Sequence, residues 1–126
     1  PKQKDDFVAF WDPDKKVGEW GTGKHEKGKL VTLPNGEKVT HNGVGSIALY
    51  QYNEKSELVF ISNCSSGMDY AFQAKLSSGD FPFVCVVEYP ERTYMSDGEK
   101  TNALRHPVFL EKREDKDSDE CVNDRL

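Results

Sequence analysis

The sequence predicts an all-β domain, a single antiparallel sandwich or barrel of about eight or nine strands with little helix. Three observations carry that reading. Apolar segments of strand length recur from residue 7 to residue 110, and they are rich in Val, Ile, Phe and Tyr. Turn residues punctuate them at short intervals: Pro34-Asn35-Gly36, Asn42-Gly43, Ser65-Ser66-Gly67 and Ser96-Asp97-Gly98. Few stretches keep a helical period over a useful length. Many short strands joined by tight turns describe a sandwich or a barrel.

Taken in order, "FVAFW" (7–11) is the first strand, and "KLVTL" (29–33) and "KVTH" (38–41) follow on either side of an Asn-Gly turn. "SIALYQY" (46–52) is a strong strand. "ELVFIS" (57–62) and "FPFVCVVEY" (81–89) are apolar on both faces, which predicts central positions. Pro82 lacks an amide donor, so that end of its strand is expected at an edge or bulge. "MDYAFQAKL" (68–76) alternates with period two, placing Met68, Tyr70, Phe72, Ala74 and Leu76 on one buried face of a further strand. "RTYM" (92–95) and "HPVFL" (106–110) complete the set, and "EKTNALRH" is expected to form a short helix that Pro107 ends. Residues 1–110 form the domain. Residues 111–126 are a charged tail with seven acidic and four basic side chains, frayed or docked.

The chain of 126 residues carries a net charge of −5, which disfavours general nucleic-acid binding. No apolar run reaches the length of a membrane span. Cys64, Cys85 and Cys121 are an odd set without close pairs, which argues against a disulfide framework and a zinc knuckle. With no leader-like segment, this favours an intracellular setting. Cys85 is expected to be a buried hydrophobe and Cys121 an exposed thiol, and a Cys64–Cys85 bridge stays open. Asn63-Cys64-Ser65 has the form of a glycosylation acceptor, a triplet that also arises often by chance.

Gly18 to His25 read G-E-W-G-T-G-K-H. Gly18, Gly23 and Lys24 fit a phosphate loop, but His25 stands where the magnesium-binding hydroxyl belongs, and no strand precedes it. His25, His41 and His106 lack metal-ligand spacing, and no catalytic constellation is recognisable, so neither an enzyme nor a cofactor is expected.

Binding is the function this composition supports. Trp and Tyr bury large areas at low entropic cost. The candidates are Trp11, Trp20, Tyr50 and Tyr52, with Tyr89 and Tyr94 behind them. Lys24, His25 and Lys27, with Lys29, Lys38 and His41, form a prospective basic rim. A protein or peptide partner is expected, held by the aromatics or by an exposed strand edge. A small-ligand, lipid or glycan site and a homo-oligomeric assembly role are the alternatives.

Two resemblances bear on this. Gly18-Glu19-Trp20 resembles the G-x-W of lipocalins and fatty-acid-binding proteins and implies a barrel with an apolar cavity. "FVAFWDPDKKVGEW" and "GVGSIALYQYNEKSELVFIS" resemble the early strands of Ran-binding and EVH1 domains. They imply a pleckstrin-homology-like barrel in which Trp11 and Trp20 sit nearest the positions that bind proline-rich peptides.

Overall fold

The computed structural model describes residues 1–11 and 28–126. They form an all-β fold with nine strands and one short α-helix among the described residues. The strands are β1 (Gln3–Phe10), β2 (Leu30–Thr32), β3 (Lys38–Thr40), β4 (Ile47–Tyr52), β5 (Leu58–Cys64), β6 (Phe83–Tyr89), β7 (Glu91–Thr93), β8 (Ala103–Arg105) and β9 (Val108–Arg113). Five of them make one antiparallel sheet in the order β5-β4-β1-β6-β9. β2 and β3 form a separate hairpin, and so do β7 and β8. Beyond the end of β5, Ser66 meets Val108 in an isolated parallel bridge, and Phe109 N–H donates to Ser66 O at 2.8 Å. The two edges of the five-stranded sheet are therefore drawn together at that point.

Period-two alternation explains the core. On β1, Phe7 and Ala9 turn inward, joining Ile47 and Leu49 of β4, Ile61 of β5 and Cys85 and Val87 of β6. β6 lies between β1 and β9, as its two apolar faces predict. Pro82 precedes β6, so its missing donor costs the sheet no bond.

β5 departs from expectation. It lies at the end of the sheet, and Leu58 and Phe60 are 39% and 40% exposed. Apolar character on both faces here reflects one face in the core and one apolar surface, which sequence pattern cannot separate from a buried strand.

The segment 68–76 is a helix and not a strand: α1 spans Tyr70–Lys75. The Asp69 carboxylate accepts Phe72 N–H at 2.8 Å and satisfies one of the amides that a helix start leaves open. Ala71, Gln73, Ala74 and Lys75 are good helix formers. Over six residues a helical stripe and a strand alternation share several positions, and the cap decides. Tyr70 is consequently 41% exposed, its ring 5.7 Å from that of His41. Phe72 packs against Phe83 and Phe109, with ring centroids 6.2 and 5.2 Å apart. The reverse error occurs at "EKTNALRH", where Ala103–Arg105 is β8, paired to β7 through Arg92↔Leu104. α1, the one α-helix among the described residues, lies mid-chain between β5 and β6.

The C-terminal residues lie against the sheet. β9 runs on to Arg113, which reaches Asp6 at 3.2 Å, and Lys116 reaches the same carboxylate at 2.6 Å. Tyr52 N–H donates to Cys121 O, and Asn123 N–H donates to Tyr52 O, both at 2.8 Å. Cys121 is buried against Val8 and Val84, which corrects its expected exposure. Of the two states expected for the charged tail, frayed or docked, residues 121–123 take the docked one, because Cys121 is an apolar anchor and Tyr52 has backbone groups to pair.

At one end of the inner core a cation takes the place of an apolar plug. The Arg92 side chain is 3% exposed. Its guanidinium lies 5.6, 5.9 and 4.5 Å from the ring centroids of Phe7, Tyr89 and Tyr94. It donates to Gln51 Oε1 at 2.7 Å and to Asp5 Oδ2 at 3.3 Å. Burial also raises the Tyr89 phenol above its ordinary range.

Candidate binding face

The residues that alternate with the core on β1, β4 and β5 build an outer face. Val8 and Phe10 of β1 turn away from Phe7 and Ala9. Val8 pairs with Tyr50 and Phe10 with Ala48, so Tyr50 and Tyr52 share that face. The β4–β5 register shifts between Leu49 and Tyr50: Leu49 faces Ser62, but Tyr50 faces Phe60. The irregularity lets Ile61 stay in the core while Phe60 is carried outward beside Tyr50, the re-aiming that bulges provide.

The result is a row of rings across three neighbouring strands. Phe10 and Tyr50 meet edge-to-face at 4.9 Å and 76°, and Tyr50 and Phe60 at 5.4 Å and 69°. Such pairs hold one another's orientation. Phe10, Tyr50 and Tyr52 also pack on Val8, Val84 and Cys121, which fixes the base of the row. The connection 11–46 leaves from the Phe10 end of β1. The connection 90–107 leaves from the far end of β6, beside Gln3.

Of the candidates named from sequence, Tyr50 and Tyr52 stand together on this face, both half-buried. Trp11 turns the other way. It is half-buried against the inner core, 6.0 Å from the Phe81 ring, and its buried Nε1 has no hydrogen-bond partner among the described residues. Trp20, Lys24, His25 and Lys27 lie outside the described residues, as does the Gly18-Glu19-Trp20 triplet. Lys29 and Lys38 are exposed. His41 is buried, its Nδ1 accepting Gly43 N–H at 2.9 Å, and so does not serve as an exposed rim cation. Tyr89 and Tyr94 are buried beneath and beside Arg92. Sequence reasoning missed Phe10 and Phe60. The alternation of "FVAFW" already places Phe10 opposite Phe7 and Ala9, but Phe60 depends on the register shift, which no local pattern announces.

The three cysteines are free and buried. Burial pushes the Cys64 and Cys121 thiols up to about 11, and Cys85 is raised further by burial and by its neighbours. A thiol at such a value is almost wholly protonated and poorly nucleophilic at neutral pH. The native protein is therefore expected to react with Ellman's reagent at none of its thiols on the timescale of minutes at pH 8, and at all three in denaturant. A rapid native equivalent would show that Cys121 is not held as described.

No group of three or more His, Cys, Asp or Glu side chains converges as a metal site among the described residues. Nor is any helix among them long and apolar enough to cross a membrane. No protein-family model matches the chain, and no curated protein matches it closely enough to count as a relative.

Proposed function

We propose that the chain is a non-catalytic binding module, and that its ligand is single-stranded nucleic acid laid across the outer face of β1, β4 and β5. The observation that carries this is the Phe10–Tyr50–Phe60 row. Bases offer a π face whatever their sequence, and stacking on an aromatic ring contributes about 1–3 kcal/mol per base.

The connectivity supports the same reading. Five sheet strands in this order, a helix between the third and fourth in chain order, and a parallel contact joining the third to the fifth support reading the fold as an OB-type barrel. Barrels of that type take oligonucleotides or oligosaccharides on the outer face of their second and third strands, here β4 and β5, between two connecting loops. That is an argument from fold analogy, and the rings give it a site.

Charge is the consideration against nucleic acid, and it is unevenly spread. Residues 111–126 contribute −3 of the −5, from seven acids and four bases. Residues 15–29, in the connection that leaves from Phe10, hold five Lys against two Glu. A ligand held through only a few phosphate contacts would give a shallow salt dependence, with a slope of about −2 to −3 in log K against log salt.

The test is fluorescence anisotropy with labelled oligo(dT). Tyr50→Ala is expected to weaken binding about tenfold or more, as the loss of one stacking ring predicts. Exposed Tyr70 on α1 serves as the control, and Tyr70→Ala should change binding less than twofold. Failure of the wild-type protein to bind any single strand at low salt would sink the proposal.

A second reading keeps the rings and changes the partner. The edge of β5 from Leu58 to Cys64 carries no charged residue, and Leu58 is exposed beside it. Sheet edges of this kind accept an extended peptide as an added strand. In that case binding would be insensitive to salt, and a Lys placed at Ser62 would abolish it.

A further inference from the structure

A second apolar group stands on the outer face, and the C-terminal segment supplies part of it. Gln51 is buried on the inner side of β4, so Tyr50 and Tyr52 both turn outward. Leu58 of β5 pairs with Tyr52 on one side, and Val122 meets it in an isolated parallel bridge on the other. Residues paired in this way project from the same side of a sheet. Asn123 bears out the orientation. Its side chain reaches inward to Gln51 Oε1 at 3.3 Å and to the Tyr94 hydroxyl at 3.0 Å, so its neighbour Val122 turns outward. Val122 is 54% exposed and Leu58 39%. Single apolar side chains at a surface need no explanation, but a group of them continuous with an apolar face marks a contact site.

The backbone fixes where this group lies. Tyr52 N–H donates to Cys121 O and Asn123 N–H to Tyr52 O, both at 2.8 Å, so Val122 is held in register with Tyr52. Tyr52 follows Tyr50 by two residues on one strand, a spacing of about 6.6 Å. The rings of Phe10, Tyr50 and Phe60 touch in sequence and act as one platform. Val122, Tyr52 and Leu58 make a second platform, one strand repeat further along β4.

We propose that Val122, Tyr52 and Leu58 form a second base subsite, so that two successive bases of the bound strand rest on separate platforms, unstacked from each other. The inference rests on the nucleic-acid reading above. Bases stacked in a strand are about 3.4 Å apart, half the spacing of the two platforms. A strand seated on both must therefore open the step between them. Tyr52 offers a ring to the base, and the two aliphatic side chains exclude water from its edges. Contacts of this kind do not read base identity. They select instead for strands whose bases part easily, which favours thymine, a weakly stacking base, over adenine, a strongly stacking one.

The experiment measures oligo(dT) and oligo(dA) of equal length by anisotropy, with the double variant Leu58→Ser/Val122→Ser. Both positions are exposed, so the thermal transition should be kept. Continued protection of Cys121 from Ellman's reagent shows that the segment is still docked. Wild-type protein is expected to bind oligo(dT) about fivefold more tightly than oligo(dA). The double variant should lose about tenfold in oligo(dT) affinity and less in oligo(dA), bringing the ratio below about two. Should it lose its thermal transition or expose Cys121, Leu58→Ser alone takes its place and is expected to halve the ratio or more. Equal wild-type binding of the two oligomers overturns the second subsite, and so does a ratio that survives the variant used. In both cases a loss of binding in Tyr50→Ala leaves the first platform standing. Binding to neither oligomer overturns both readings.

Discussion

Gly67→Ala is expected to unfold the protein, or to cost about 4 kcal/mol or more in urea denaturation, at the upper end for single substitutions. A Cβ at this position would lie 2.2 Å from Phe109 O, 2.7 Å from Phe109 N and 2.8 Å from Val108 Cγ1. The first two are backbone atoms, and they cannot swing aside as a side chain would. Phe109 is held from both directions, its N–H bonded to Ser66 O and its ring against Phe72. Relief would require β9 to leave the end of β5 where the sheet edges meet. The left-handed φ adds a smaller penalty. Gly98 isolates that term, since its φ is +88° with no atom within 4 Å of the added Cβ. Gly98→Ala is therefore expected to cost only about 1–2 kcal/mol. Equal costs at the two sites would mean that the seam is looser than these distances require.

Arg92→Ala is expected to cost about 3 kcal/mol, the lower end for breaking a buried ionic contact, because Asp5 is partly exposed. Three losses combine. The rings of Phe7, Tyr89 and Tyr94 lose the cation they enclose. Gln51 Oε1 keeps only the Asn123 amide, at 3.3 Å. A cavity opens at the end of the core. Arg92→Met separates volume from charge. It fills most of the space and removes the desolvation penalty of a buried cation whose Nε has no partner among the described residues. Arg92→Met should therefore recover at least half of what Arg92→Ala loses. A urea midpoint for Arg92→Met at or below that of Arg92→Ala would assign the stability to the ionic and hydrogen-bonding contacts instead of to packing.

Most strands were legible because they are short, apolar and closed by a turn residue with a physical reason to be there. Asn35-Gly36 separates β2 from β3, and "SIALYQY" contains all of β4. Legibility failed where two periods coincide or where partners lie far along the chain. Residues 68–76 satisfied a strand alternation, and only Asp69 in its capping role distinguishes the helix. The role of Arg92 is not visible in "RTYM", because its partners Asp5 and Gln51 are distant in sequence. The candidate face was half legible. Tyr50 and Tyr52 alternate with Ile47 and Leu49 in a pattern that places them together, while Phe60 reaches Tyr50 only through a register shift.

The docking of residues 121–123 beside Tyr52 has a consequence for how the molecule is made. Tyr52 receives its last two backbone bonds from Cys121 and Asn123. During synthesis β4 can pair with β1 and β5 long before those residues exist. For that interval the nascent sheet holds an open slot at Tyr52 and an uncovered apolar patch at Val8 and Val84, where Cys121 will sit. Domain completion is thus timed by the arrival of a short segment more than 65 residues after the strand it finishes. A chaperone that recognises unpaired strands would find its site on this protein in that interval and lose it when the segment docks.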